Sequence, residues 1–201
     1  MGRGRAGRGA TGRGANAAGG ERRWVPIIIA VIVVALIAAF VVVVVLDSRQ
    51  QAAQEPPEGV ETIEVASRDH VEEDVDYERT PPAGGEHNSI WQNCGVYEEP
   101  VRSENALHSL EHGAVWITHR PDLPEEQVQQ LQDLAEGESY VLLSPMEDLP
   151  SPVVASAWGK QLQLDGAGAP RLERFVSAFQ QGPQTPEPGA ACTGGVGEPQ
   201  S

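Results

Sequence analysis

Ile27 to Leu46 is a run of twenty residues without a charge or a polar side chain, and it limits what the rest of the chain can become. As a helix rising about 1.5 Å per residue it would be about 30 Å long, the thickness of a bilayer's hydrocarbon core. Trp24 stands at its start, where an amphipathic ring suits the headgroup layer; Arg22 and Arg23 flank one side and Asp47 the other. The run exceeds the roughly 7–15 apolar residues of a secretory leader, and no small-residue cleavage pattern follows it. The expectation is a retained single-pass transmembrane helix over 24–46. Its arginine side lies in the cytoplasm, and residues beyond about 47 lie outside the cell membrane. No cysteine follows the run closely, so a lipid-modified cysteine anchor is not expected.

Charge divides along the same line. Residues 1–23 carry six arginines against Glu21 alone and are otherwise nearly all Gly and Ala, which reads as a disordered basic cytoplasmic tail. Its arginines are a topology signal before they are an RNA or lipid contact. Residues 24–201 hold 8 basic and 28 acidic side chains, a formal −20. A body this acidic repels a phosphate backbone, so no nucleic-acid partner is expected.

Residues 47–59 are polar, contain Pro56-Pro57 and read as a stalk. An α+β domain is expected over 60–195, followed by a disordered tail at 196–201. Its strands are a short one near Val60–Val65, then 114–119, 140–143, 153–158 and 161–164. A helix is expected from Ser103, as N-cap, to His112, stopped by Gly113. Others open at Glu125, after Leu123-Pro124, and at Pro170, where Leu172, Phe175, Val176 and Phe179 follow a helical period. This describes a small mixed sheet covered by two or three helices and preceded by the membrane helix. Strand 114–119, helix 125–135 and strand 140–143 suit a parallel crossover.

His87 to His119 holds four of the chain's five histidines, one of its two cysteines and two of its four tryptophans. Within it, His108-Ser109-Leu110-Glu111-His112 puts two imidazoles four residues apart. At 100° per residue they lie about 40° apart on one helix face. Leu107 and Leu110 point about 150° from that direction, toward the core. His87 follows the rigid loop Thr80-Pro81-Pro82-Ala83-Gly84-Gly85, which can bring a third imidazole over the pair. His87, His108 and His112 are therefore the expected ligands of a divalent transition metal, zinc or copper, with Glu111 or Cys94 next in line. The rival reading is an envelope interaction domain whose histidines are structural, His112 serving as a cation at a helix C-terminus. A third is a small zinc hydrolase, since His108 to His112 fits H-x-x-E-H with Glu111 as general base. It would need a further acid, from Glu125, Glu126, Glu136 or Glu173. The helix ends at once after the motif and the domain is small, so catalysis is the weaker reading. Two cysteines outside the membrane suit one disulfide, Cys94–Cys192, against two free thiols or Cys94 as a ligand.

Pro81-Pro82, Gly85-Glu86-His87, Gly95-Val96-Tyr97, His108-Ser109-Leu110-Glu111-His112-Gly113, Ala157-Trp158-Gly159 and Pro186-Glu187-Pro188 together resemble a bacterial family, domain of unknown function 3105. The resemblance runs from about Val60 to Gly195. It implies a membrane helix ahead of an outside domain, as in many actinobacterial members, and it implies no activity. The placing of Asn93-Cys94 and Cys192 is similar to a subgroup pattern, which favours the disulfide.

Overall fold

The computed structural model describes residues 24–200 and, within the first helix, the side chains of residues 26–42. The reading of 1–23 as a disordered tail lies outside the described residues, as does Ser201. The described residues fall into two units, divided between Leu46 and Asp47.

Helix α1 runs Val25–Gln54, past the expected boundary at 46 and through most of the expected stalk. Over 26–42 it is apolar on every side, with no amphipathic face. Ile27, Val34, Leu36 and Phe40 are 63, 65, 65 and 68 % exposed. Among the described residues no helix is long and apolar enough to cross a membrane. The side chains described in α1 stop at Val42, short of the end of the uncharged run at Leu46.

The second unit is α+β, built on one six-stranded mixed sheet. Its strands are β1 (Glu61–Thr62), β2 (Gly95–Val96), β3 (Val115–His119), β4 (Val141–Pro145), β5 (Val153–Ala157) and β6 (Lys160–Leu164). They lie in the order β1-β6-β5-β3-β4-β2. β3 and β4 are parallel, joined by the expected crossover through α3 (Glu125–Ala135), while β3, β5 and β6 pair antiparallel. The two-residue edge strand β2, which sequence pattern did not show, pairs parallel to β4.

Because side chains alternate along a strand, the sheet sorts its residues onto two cores. Val115, Ile117, Val141 and Leu143 face one core with Leu131 of α3 and with Leu172, Phe175, Val176 and Phe179 of α4 (Pro170–Phe179). Trp116 and Leu142 face the other, against Ala106, Leu107 and Leu110 of α2 (Ser103–Glu111). Trp116 keeps its indole N–H satisfied there by donating to Ser144 Oγ at 3.0 Å. Arg102, not Ser103, is the N-cap of α2, and it makes no side-chain cap hydrogen bond. Glu104 is turned to other work, accepting from the Val75 N–H at 2.9 Å and pairing with Arg102 Nε at 3.1 Å. His112 is the C-cap, and Gly113 at φ +99° closes the helix in a conformation a side chain would strain.

The expectation of a disordered end at 196–201 gives way at 196–200. Val196 bridges to Gln92, Gln200 bridges to Val96, and the Gly197 carbonyl accepts from Asn93 Nδ2 at 2.7 Å. A Pro/Gly-rich segment cannot continue a helix, but it can still lie along a free edge. β2 offers that edge, and the Cys94–Cys192 disulfide holds the two segments together.

A roofed cluster of imidazoles on α2

The leucines of α2 take the sheet side and its imidazoles the opposite side, as the helical angles require. That opposite side is not open to water. His108 and His112 are 5 and 4 % exposed because the 88–92 loop is laid along the helix and fastened to it. Asn105 Nδ2 donates to the Ile90 carbonyl at 2.6 Å, Ser109 Oγ to the Gln92 carbonyl at 2.6 Å, and the Gln92 N–H to the Asn105 carbonyl at 3.0 Å. Two further segments complete the roof. Residues 69–71 pair with the backbone of His87, and 187–192 cross the far end of the helix. The second of these is tied down by the disulfide, which removes Cys94 from the ligand set.

His87 is fully buried beneath this roof. Gly85, at φ +121°, gives the chain the turn that lets the Gly85 carbonyl meet the ring two residues on. That carbonyl accepts from His87 Nδ1 at 2.9 Å. The same arrangement recurs at both histidines of α2. His108 Nδ1 meets the Asn88 carbonyl at 2.7 Å, and His112 Nδ1 meets the Ala191 carbonyl at 2.7 Å. A carbonyl oxygen can only accept, so each of the three rings carries its proton on Nδ1. In the neutral ring the Nε2 atom is then a bare lone pair, and fixing the tautomer in this way is what metal-binding histidines require.

The rings gather around His108. Ring centroids lie 4.8 Å from His70, 5.1 Å from His87 and 4.6 Å from His112, and Trp91 closes over His112 at 5.0 Å. Burial lowers the pKa of His108. The Asn88 hydrogen bond opposes that, and the neighbouring His112, His87 and His70 push the same way as burial. His108 is therefore held in the neutral form that binds cations.

Carboxylates sit at the rim. Glu111 Oε2 is 3.0 Å from His87 Nε2 and 3.7 Å from His70 Nε2, with Arg68 3.9 Å from the other oxygen. Glu187 Oε2 is 3.5 Å from His112 Nε2. An open cleft of about 500 Å3, lined by Arg68, His70, Glu111 and Glu187 among others, leads to these groups. A larger cleft of about 630 Å3 along 63–67 and 75–86 holds none of the imidazoles.

Among the described residues two groups have the geometry to hold a metal ion, with one ligand atom from each member within 4.8 Å of the others. They are His70, His87 and His108, and separately His108, His112 and Glu187. The expected trio of His87, His108 and His112 does not form one group: His87 and His112 fall in separate groups that share His108. His70 and Glu187 were not expected. His70 sits in an acidic segment with no periodicity to single it out, and Glu187 lies in the Pro-rich tail. The acids weighed for a hydrolase are elsewhere: Glu125, Glu126 and Glu136 belong to α3 and its C-cap and Glu173 to α4, across the sheet. His119 donates its Nδ1 proton to the Arg120 carbonyl at 2.9 Å and enters neither group.

A family model described as protein of unknown function (DUF3105) matches residues 70–194, a span that starts at His70 and takes in every member of both groups. No curated protein and no solved structure matches the chain.

Proposed function

We propose, for a chain that belongs to the DUF3105 family, that its folded domain binds a divalent transition-metal ion in a binding or sensing role, held outside the cell membrane by a single-pass anchor. The ligands would come from His70, His87, His108 and His112, with Glu111 and Glu187 as carboxylate partners. One observation carries this. His87 Nε2 and Glu111 Oε2 lie 3.0 Å apart with burial around both, although the Nδ1 proton of His87 is already given to Gly85. Two acceptors that close repel unless a positive charge lies between them. Ligands on a tetrahedral ion at about 2.0–2.1 Å stand about 3.3 Å apart, close to this spacing.

A proton on His87 would also satisfy that pair, and this is the structural-histidine alternative. It gives the Nε2 of His108 no protein partner, since that ring faces three other imidazoles and burial favours its neutral form. A metal ion beside His87 and His108 would serve that pair and the His108 lone pair together. Nitrogen and oxygen donors without a thiolate favour zinc or copper(II) over copper(I).

Two features support the location. A helix that is apolar on every side and exposed over residues 26–42 needs an apolar surrounding, and Ile27–Leu46 is the right length for a bilayer. A disulfide is at home in an oxidising compartment. Elemental analysis of the detergent-purified full chain, after exposure to zinc or copper and dialysis, tests the metal reading. Wild type should retain metal and His108→Ala should not; equal content in both overturns it.

A further inference from the structure

His108 belongs to both groups of ligands, and this restricts what the cluster can hold. Its Nδ1 proton is committed to the Asn88 carbonyl at 2.7 Å, so the ring offers one lone pair, at Nε2. One lone pair binds one cation at a time. We propose that the cluster is a two-station site for a single divalent transition-metal ion. The ion exchanges between an inner and a tail-side ligand set, with His108 bound in both. The inference rests on the metal-binding reading and specifies how that site works.

The stations differ in strength. The inner one offers His70, His87 and His108, and Glu111 Oε2 lies 3.0 and 3.7 Å from the Nε2 atoms of His87 and His70. The inner set is thus three nitrogens, with the Glu111 carboxylate beside two of them. The tail-side station offers His108, His112 and Glu187, two nitrogens and one oxygen. The Glu187 side chain is 51 % exposed and rides on a segment held by the disulfide. Glu187, His70 and Glu111 line the same cleft, so each set has one exposed member, His70 or Glu187, through which an ion can enter, and two buried ones.

Movement between stations is ligand exchange and nothing more. The bonds to His112 Nε2 and Glu187 break as bonds to His70, His87 and Glu111 form. No electron moves. His87, His108 and His112 keep their Nδ1 protons on backbone carbonyls throughout. Centroid distances from His108 to its three imidazole neighbours span only 4.6 to 5.1 Å, so the shared ring is equally near both sets.

Zinc titration of the full chain in detergent, read as stoichiometry and affinity, tests this. Wild type should bind one zinc per chain. His112→Ala with Glu187→Gln should still bind one. His70→Ala with Glu111→Gln should also bind one, roughly tenfold or more weakly. His108→Ala should bind none while keeping its circular dichroism spectrum. Two zinc ions per wild-type chain would overturn the shared ligand, and so would complete loss of binding in either folded double variant. Wild type binding no zinc at all would instead sink the metal reading beneath it. Should a double variant fail to fold, wild-type stoichiometry still decides between one shared ion and two.

Discussion

The two faces of the sheet are closed by opposite chemistry. On one, α3 and α4 lay Leu131, Phe175 and Phe179 onto Val115, Ile117 and Leu143, and hydrocarbon alone does the work. On the other, α2 presents Ala106, Leu107 and Leu110 to the sheet, and then needs three loop segments to cover its outward side. The first face is local and made of regular elements. The second is assembled from pieces as far apart in sequence as His70 and Ala191, fastened by side chain to backbone hydrogen bonds. A layer built that way contributes less apolar burial but fixes the orientation of each ring, which suits a binding site.

The largest way to sharpen the contrast is to damage the apolar face alone. Phe175 is fully buried, and Phe175→Ala should cost about 3–5 kcal/mol by lost burial and the cavity left behind. Denaturant midpoints would report it, with metal content of the folded fraction unchanged. A cost under about 1 kcal/mol would mean that this face is not where the stability resides.

The roofed face should respond next to loss of its covalent tie. Cys94 and Cys192 are 98 residues apart, and Cys94→Ser with Cys192→Ser should cost about 2–4 kcal/mol, mainly by freeing the unfolded chain. The neighbouring Ala191 carbonyl fixes His112, and Glu187 lies on the same segment. Zinc retention in a His70→Ala, Glu111→Gln background, where only the tail-side set remains, should therefore fall as well. Unchanged retention there would show that the segment stays in place without the bond.

Metal should stabilise one face and be silent on the other. At about 100 times its Kd, zinc bound only to the folded state adds about 2.7 kcal/mol. Thermal unfolding should show this in wild type and in Phe175→Ala, and not in His108→Ala. Zinc stabilising all three alike would place its binding elsewhere.

The same contrast explains what could be read from the chain. The apolar face was legible because Leu172, Phe175, Val176 and Phe179 repeat with the helix and Val115 and Ile117 with the strand. The His108 and His112 pair, with Leu107 and Leu110 turned the other way, followed from angles along one helix. Ring tautomers, His70 and Glu187 did not, because they depend on where distant loops cross α2, and no local period records that. The Pro/Gly-rich end pointed toward disorder for a related reason: its partners, Gln92 and Val96, are about a hundred residues away, and composition speaks only of local preference.

The smallest effect is electrostatic and belongs to the roofed face alone. Burial first, and then the neighbouring His112, His87 and His70, hold the folded-state pKa of His108 below its ordinary value of 6.5, against the pull of the Asn88 hydrogen bond. Well above pH 6.5 neither the folded nor the unfolded chain holds this proton, so His108 adds no pH dependence there. As pH falls below that value the unfolded chain takes up the proton first. Stability is then lost progressively until the folded-state pKa is passed, the reverse of a histidine whose pKa is raised by a partner. Metal-free wild type should lose unfolding free energy on acidification below about pH 6.5 more steeply than His108→Ala does, while Phe175→Ala should keep the wild-type slope. A variant curve that falls as steeply as wild type would mean that this ring is not held neutral by its surroundings.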